Sequence, residues 1–167
     1  ADIGTGTGCI SIALGKNLDV SELYAIDISK KCINIAKSNA SMHNRNIDVI
    51  HANILDDETD YLLSNIDIVV SNPPYVRQKE KEFMKPNVLK FEPHLALFVD
   101  DSDPLKFYNA IAHRSIFWLK NGGLLYLEIN EYLGDQTAKL LMESGYINVQ
   151  IFNDMFGKNR FIKAEKA

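Results

Sequence analysis

The stretch Asp2-Ile3-Gly4-Thr5-Gly6-Thr7-Gly8 opens the chain and predicts the end of a β-strand that runs into a glycine-rich turn. We refer to residues 4–8 as the glycine loop. A helix is predicted to begin at Cys9 and to end between Gly15 and Asn17. Glycines let the backbone approach a ligand closely, and the amino end of the helix adds unpaired N–H groups and a positive dipole end. The G-x-G-x-G spacing, with cysteine at position 9, differs from the G-x-G-x-x-G of dinucleotide-binding folds.

A second predicted strand, Leu23–Asp27, ends in an acidic residue. A carboxylate about 20 residues beyond a glycine loop lies at the tip of the neighbouring strand and can accept hydrogen bonds from both ribose hydroxyls. Asp27 could instead cap the next helix, but Ser29 is available for that purpose. The glycine loop and Asp27 together therefore favour a site for a nucleoside-containing cofactor over a plain turn.

A third predicted strand, Asp48–His51, follows a helix that we expect from Lys30 to His43. Asn53 and Ile54 come after this strand and so belong to the same sheet edge as Asp27. The amide could bond an adenine edge while the isoleucine packs on the adenine face. A plain turn with a core isoleucine explains the same two residues, and the sequence barely separates the two interpretations.

The segment Ser71-Asn72-Pro73-Pro74-Tyr75 follows an apolar run, residues 66–70, that predicts a buried strand. Proline has no N–H and restricts the residue before it, so two prolines end the strand in a stiff loop. The loop offers two hydrogen-bond acceptors, the Asn72 side chain and the Pro73 carbonyl, beside the ring of Tyr75. Such a set of groups can hold a planar –NH2 group, which indicates a methyltransferase that acts on that kind of nitrogen.

The remainder of the chain continues the alternation of strands and helices. That alternation predicts a mainly parallel sheet covered on both faces, with ligands bound at the carboxyl ends of the strands. Residues 76–98 are the exception, because they predict a long, irregular and locally basic loop. This loop either is simply solvated or serves as a segment that docks a partner or covers the site as a lid. Within it, Phe91-Glu92-Pro93 is expected to anchor the loop back onto the domain. The further predicted elements are a helix over 104–119, a strand over 124–129, a helix over 134–144 and a strand pair over 149–152 and 160–164.

Length and composition suit one ordinary globular domain, since the chain has 167 residues, of which 46% are hydrophobic and 24% charged. No apolar run approaches the ~20 residues of a membrane span. The formal charge of −4 weakens any interpretation as a general nucleic-acid binder. Cys9 and Cys32 are predicted to be core thiols of a protein in a reducing compartment, and the four histidines lack metal-ligand spacing.

The quoted motifs resemble the class I S-adenosylmethionine-dependent methyltransferases, and among them the peptide-chain release factor glutamine methyltransferases of the PrmC/HemK type. The glycine loop is shared by many methyltransferases, whereas Asn72-Pro73-Pro74-Tyr75 narrows the choice to enzymes that modify amide or base amino nitrogens. Phe91-Glu92-Pro93 at this spacing points to the glutamine enzymes. The resemblance covers the whole chain, including Asn159-Arg160-Phe161.

The resemblance implies a seven-stranded Rossmann-like sheet with an antiparallel last strand, here with its first strand truncated. It implies methyl transfer from S-adenosylmethionine, leaving S-adenosylhomocysteine, to the glutamine side chain of the Gly-Gly-Gln motif in release factors. Residues 1–167 would be the catalytic domain, without the helical amino-terminal domain of the family. The truncated first strand leads us to expect a fragment of a longer protein, or a sequence that omits upstream residues. We expect a cytoplasmic monomer that needs no metal and binds neither nucleic acid stably nor membranes.

The predicted site residues fall into three groups. Asn72, Pro73 and Tyr75 are assigned to catalysis: Asn72 Oδ1 and the Pro73 carbonyl accept the two N–H groups of the substrate amide, and Tyr75 packs over it. Substrate binding adds Pro74 and Glu92. The cofactor-binding residues are predicted to be Asp2, Gly4, Thr5, Gly6, Thr7, Gly8, Asp27, Asn53, Ile54 and Asn72.

Three other functions fit parts of the sequence. An adenine-N6 or guanine-N2 methyltransferase could use the same loop to clamp an unstacked base, but it would have to reach that base. A cofactor-binding module without activity is compatible with the truncated first strand. A nicotinamide-dependent oxidoreductase is disfavoured by Cys9 and by the absence of a proton-relay set in the sequence.

Overall fold

A seven-stranded sheet forms the centre of the computed structural model, which describes residues 1–19, 22–84 and 86–167. Its strands lie in the order β3-β2-β1-β4-β7-β9-β8. A separate pair, β5 and β6, lies outside this sheet. The strands are β1 (Asp2–Ile3), β2 (Tyr24–Asp27), β3 (Asp48–His51), β4 (Ile66–Ser71), β5 (Val76–Arg77), β6 (Phe98–Val99), β7 (Leu119–Glu128), β8 (Tyr146–Asn153) and β9 (Asn159–Lys166).

The strand directions confirm the predicted fold class. Strands β3, β2, β1, β4 and β7 pair in parallel, while β9, the last strand of the chain, runs antiparallel to both β7 and β8. The short first strand is confirmed as well: β1 consists of two residues, yet it lies between β2 and β4. The carboxyl ends of these three strands therefore meet at one edge of the sheet.

Helices cover the sheet and bury its apolar side chains. The helices are α1 (Cys9–Asn17), α2 (Lys30–Met42), α3 (Pro86–Phe91), α4 (His94–Leu97), α5 (Lys106–Trp118) and α6 (Gly134–Glu143). Tyr108, Ile111 and Trp118 of α5 pack against Val69 of β4 and Leu125 of β7 in the main core. The long helices predicted from the sequence are all present, because each presents apolar residues at helical spacing to the sheet.

The segment between β4 and α5 differs from its prediction as a long irregular loop. It contains the parallel pair β5–β6, a 3-10 helix over Gln78–Phe83 and the short helices α3 and α4. Within this segment, Phe91, Glu92 and Pro93 are all exposed, and Phe91 retains 76% of its accessible surface. The prediction that these three residues anchor the segment is wrong, because Phe91 makes no core contact and instead has the Lys90 ammonium 5.4 Å from its ring centroid.

The two cysteines are free thiols, as expected, but neither belongs to the core. Cys9 is exposed at the start of α1, and Cys32 is half-buried in α2. The placement of Cys9 follows from the helix beginning at the sheet edge, where its first residues face outward. Of the residues described, none lies in a helix with the length and apolarity that crossing a bilayer requires.

A buried arginine joins α5 to the 3-10 turn Asp57–Tyr61. The Arg114 side chain is only 6% exposed, and its nitrogens lie 2.9 Å from Asp57 Oδ1 and 2.7 Å from Asp60 Oδ1. Its Nε also donates to Thr59 Oγ1 at 3.0 Å. Because Asp60 is mostly buried while Asp57 is fully exposed, the pair with Asp60 carries most of the electrostatic stabilisation.

Replacing Arg114 by methionine should therefore destabilise the fold strongly. The substitution Arg114→Met keeps the apolar stem but leaves the Asp60 carboxylate without its cation, at an expected loss of about 2–4 kcal/mol in the free energy of unfolding. Lys120→Met is the control, since it breaks the exposed 2.7 Å pair with Asp67 and should cost under about 1 kcal/mol. Urea denaturation of both variants measures the free energy of unfolding. Equal losses in the two variants would contradict the conclusion that the buried Arg114–Asp60 pair stabilises the fold.

Candidate active site

The glycine loop connects β1 to α1 at the carboxyl edge of the sheet. Gly4, Gly6 and Gly8 all have positive φ, at 69°, 55° and 85°, a region that other residues enter only at a cost. The amides of Gly4 and Thr5 donate to the Ile26 carbonyl at 2.8 and 3.0 Å, so the loop is tied to β2. A Cβ atom on Gly6 would meet nothing within 4 Å, which leaves this part of the loop open to a ligand.

Asp2 lies beneath the loop and is fully buried. Its Oδ2 accepts hydrogen bonds from Thr5 Oγ1 at 2.7 Å and from the Ser11 amide at 3.0 Å, which joins the loop to the first turn of α1. Burial raises the pKa of the Asp2 carboxyl, and these hydrogen bonds oppose the rise. Its Oδ1 has no hydrogen-bond partner among the residues described, which is unusual for a buried carboxylate oxygen.

Asp27 lies beside the glycine loop at the end of β2, as predicted. Its Oδ2 accepts from the Gly6 amide at 2.8 Å, and its Oδ1 accepts from the Ser29 amide at 2.8 Å. The Ser29 side chain caps α2 by accepting from the Cys32 amide at 3.3 Å. Asp27 is thus not the cap residue, and each of its half-buried oxygens retains a lone pair for a further donor.

The loop after β4 is adjacent to the glycine loop. Ser71 Oγ donates to the Ile3 carbonyl at 2.7 Å, and a Cβ atom on Gly4 would lie 3.9 Å from the Asn72 carbonyl oxygen. Asn72 is exposed, whereas Pro73 is buried and Pro74 half-buried. No hydrogen bond to the Asn72 side chain occurs within the described part of the chain. The structure therefore brings Asn72 and the glycine loop together and leaves the amide of Asn72 accessible.

Tyr75 is held by its hydroxyl, which donates to Glu128 Oε1 at 2.7 Å. The half-buried ring packs against the main core. Burial raises the pKa of the Tyr75 phenol, and the hydrogen bond to Glu128 raises it further. The phenol consequently stays protonated at physiological pH and keeps donating to Glu128. Its predicted contact with a substrate amide stays a prediction.

Two of the predicted adenine contacts have local roles in this structure. The Asn53 amide donates to Asp56 Oδ1 at 2.8 Å and accepts from the Leu55 amide at 3.1 Å, so both of its ends serve a turn. Ile54 is 9% exposed and belongs to the main core. These contacts fit the turn with a core isoleucine that the sequence left open, and the adenine assignment stays a prediction.

Thr7 is exposed on the glycine loop, where its carbonyl accepts a hydrogen bond from Asn39 Nδ2 at 2.9 Å.

Glu92 stands apart from the groups that surround Tyr75. It is exposed beyond α3, and the only hydrogen bond found for it in the described residues runs from its backbone amide to the Val88 carbonyl at 3.0 Å. Its predicted role in substrate binding is therefore not supported by a contact and stays a prediction.

Within the described residues, no three His, Cys, Asp or Glu side chains are grouped so as to hold a metal ion.

Sequence reasoning missed two residues that contact the loop after β4. Glu128 binds the Tyr75 hydroxyl, and Asn130 Nδ2 donates to the Tyr75 carbonyl at 3.0 Å and to Glu80 Oε2 at 2.8 Å. Glu128 ends β7, and Asn130 follows two residues later. Polar residues at the end of a parallel strand belong to the ligand-binding edge, so the position of this pair was the signal that could have found them.

The strand order, the glycine loop and the facing Asp27 define a class I methyltransferase domain. The family model described as methyltransferase small domain matches residues 1–90, which is more than half of the chain. The chain therefore belongs to the methyltransferase small domain family.

Several named proteins are similar in sequence to this chain over almost its whole length. A release factor glutamine methyltransferase from Flavobacterium psychrophilum is 48% identical over 97% of this chain and 56% of its own length. A release factor glutamine methyltransferase from Bacteroides thetaiotaomicron is 44% identical over 99% of this chain and 59% of its own length. The chain thus spans little more than half the length of the curated relatives it matches.

Solved structures agree on the fold. The crystal structure of a methyltransferase from Pyrococcus furiosus superimposes with a TM-score of 0.70 and covers 100% of this chain and 75% of that protein. Its sequence is only 15% identical, so the likeness concerns the fold alone. It supports the assignment of this chain to the α/β fold of that protein.

Gly8 should be the least replaceable residue of the glycine loop. A Cβ atom there would lie 3.3 Å from Ala36 Cβ on α2, on a backbone with φ of 85°. Gly145→Ala is the control, because Gly145 has φ of 92° but nothing within 4 Å of its Cβ position. We expect Gly8→Ala to lower the free energy of unfolding by about 1–2 kcal/mol more than Gly145→Ala. If the two variants lose equal free energy of unfolding in urea denaturation, the contact with α2 contributes nothing to the cost of Gly8→Ala.

Proposed function

We propose that residues 1–167 form the catalytic domain of a methyltransferase that modifies the side-chain nitrogen of a protein glutamine. The substrate is the glutamine of the Gly-Gly-Gln motif in peptide-chain release factors, and the methyl donor is S-adenosylmethionine. The observation that carries this proposal is the loop Asn72–Tyr75, placed at the end of β4 directly beside the glycine loop. The names of relatives at 48% and 44% identity support the choice of substrate.

The residues at the carboxyl edge of the sheet fit this methyl donor. Asp27 is half-buried and retains acceptor capacity for ribose hydroxyls beyond its bonds to the Gly6 and Ser29 amides. The open space at Gly6 leaves room for the backbone to meet a ligand. The buried Oδ1 of Asp2, which has no hydrogen-bond partner among the described residues, suits a donor group next to the loop. When bound, S-adenosylmethionine supplies a methyl group on a positively charged sulfonium.

Asn72 and Pro73 provide the acceptors for the substrate nitrogen. An amide nitrogen is a poor nucleophile because its lone pair is delocalised into the carbonyl group. Asn72 Oδ1 and the Pro73 carbonyl accept its two N–H groups, orient the lone pair and let the nitrogen become pyramidal. The exposure of Asn72 fits this role, because the side chain is accessible to a peptide arriving from solvent. Placement of the reacting atoms at roughly 3–3.5 Å supplies most of the rate enhancement.

The charge of the chain favours a protein substrate. The formal charge of −4 opposes the counterion release that drives binding to nucleic acids, so we propose no stable nucleic-acid complex.

We also propose that the protein acts in the cytoplasm, because its proposed substrates, the release factors, act where translation ends. We further propose that the domain acts as a monomer, since one chain supplies all of the groups described.

The proposal predicts methyl transfer to a single glutamine. The full-length protein is incubated with labelled S-adenosylmethionine and a release factor, and in parallel with the same factor carrying Gln→Ala in its Gly-Gly-Gln motif. Label is expected on the wild-type factor alone, because the variant lacks the nitrogen that Asn72 and Pro73 bind. A third reaction contains RNA and DNA. Label in this third reaction and on neither factor would instead identify a nucleic-acid methyltransferase.

Loss of the Asn72 acceptor should reduce catalysis while sparing the methyl donor. One missing hydrogen bond in a dry site costs about 1–3 kcal/mol, which corresponds to a fall in kcat of about one to two decades for Asn72→Ala. Isothermal titration with S-adenosylmethionine should show that binding is largely kept, because Asn72 is only one of the ten residues predicted to bind the methyl donor. Asn109→Ala, at an exposed position of α5, is the matched control. Turnover of Asn72→Ala at the wild-type rate would end the proposed role.

A further inference from the structure

Asn130 occupies an unusually well-connected position two residues after β7. The residue is 5% exposed, and every polar group it carries has a partner. Its backbone amide donates to the Tyr108 hydroxyl at 3.1 Å, and its Oδ1 accepts from the Tyr132 amide at 2.9 Å. These two contacts fix the side-chain amide in one orientation, with Nδ2 directed at the segment that follows β4.

The Nδ2 group of Asn130 bridges two parts of that segment. It donates to the Tyr75 carbonyl at 3.0 Å and to Glu80 Oε2 at 2.8 Å. Glu80 in turn accepts from the Arg77 amide at 2.8 Å and holds the Arg77 guanidinium at 2.9 Å. One buried amide thus connects the end of the Asn72–Tyr75 loop to the start of the 3-10 helix.

The charge of Glu80 strengthens this connection. Burial alone would raise the pKa of the Glu80 carboxyl, but the hydrogen bonds from Arg77 and Asn130 outweigh it and lower the pKa below its usual range. Glu80 is therefore ionised at neutral pH, and its bond from Asn130 is charge-assisted. Glu128 is the last residue of β7, the strand that Asn130 follows. It accepts a hydrogen bond from the Tyr75 hydroxyl and so holds the other end of Tyr75.

We propose that Asn130 is a positioning residue, which holds the Tyr75 carbonyl and thereby sets the place of the Asn72 and Pro73 acceptors. It touches neither substrate nor methyl donor. The proposal rests on the proposed function for its kinetic consequence, while its structural consequence is independent of any activity. Asn130 acts from the β7 side, so the position of the Tyr75 carbonyl depends on a residue 55 positions away.

Two variants test this role. Asn130→Ala removes the side chain, and Asn130→Asp keeps its shape and the acceptor for Tyr132 but removes the donor to Tyr75. Trp118→Phe is the control, since it deletes the hydrogen bond that the Trp118 Nε1–H shares between the Thr59 and Asp60 carbonyls, at the opposite edge of the sheet. Hydrogen exchange is measured on peptides that cover residues 71–83 in all three full-length variants.

We expect both Asn130 variants to exchange faster at the amides of residues 75–80 and at the wild-type rate in β2, α2 and α6. With the release factor as substrate, kcat should fall about tenfold to a hundredfold, and the Kd for S-adenosylmethionine should stay within about threefold. Trp118→Phe should lower Tm yet leave both kcat and exchange over residues 71–83 unchanged.

The two proposals fail in different ways. Absence of methyl transfer by the wild-type protein contradicts the proposed function, and the exchange data then decide the role of Asn130 on their own. Unchanged exchange over residues 75–80 in both Asn130 variants overturns the positioning role. Faster exchange combined with a wild-type kcat also overturns the positioning role, because the contact between Asn130 and the Tyr75 carbonyl would then serve stability alone.

Discussion

Strand β1 holds the two halves of the central sheet together with only two residues. β2 and β3 lie on one side of it, and β4, β7, β9 and β8 lie on the other. Ile3 pairs with Ile26 on one side and with Ser71 on the other, and Ser71 Oγ adds a 2.7 Å bond to the Ile3 carbonyl. Because β1 is parallel to both neighbours, this one pairing brings the glycine loop, Asp27 and Asn72 to a common edge.

The carboxyl group buried under that edge explains the shape of the glycine loop. Burial of a carboxyl group is costly unless hydrogen-bond donors meet it, and Asp2 Oδ2 obtains them from Thr5 and the Ser11 amide. Both donors exist only when residues 4–8 fold back over the strand and α1 begins at the correct turn. The positive φ angles of the loop glycines permit this path. The hydrogen bonds of Asp2 with Thr5 and with the Ser11 amide thus determine where the backbone of the glycine loop lies.

The sequence predicted the parts of the site that local chemistry specifies. Glycines at Gly4, Gly6 and Gly8, an acid ending β2 and two prolines after β4 each have a conformational reason that needs no knowledge of distant residues. Where contacts join segments far apart in the chain, prediction failed. Phe91 was expected to anchor its segment, but whether an aromatic ring is buried depends on which surface the fold places opposite it. The position of Asn130 just after β7 indicates the ligand-binding edge, but no local pattern indicates that its partner is Tyr75.

The two prolines explain why the loop needs support from another strand. Pro73 and Pro74 have no N–H groups, so the centre of the loop lacks two of the backbone donors that tie down an ordinary turn. These two residues can be held only through their carbonyl oxygens and side-chain packing. The end of β7 supplies two contacts to the next residue, an amide donor to the Tyr75 carbonyl and a carboxylate for the Tyr75 hydroxyl. Because two consecutive residues lack donors, the carbonyls at the centre of the loop depend on a neighbouring strand to keep them in place.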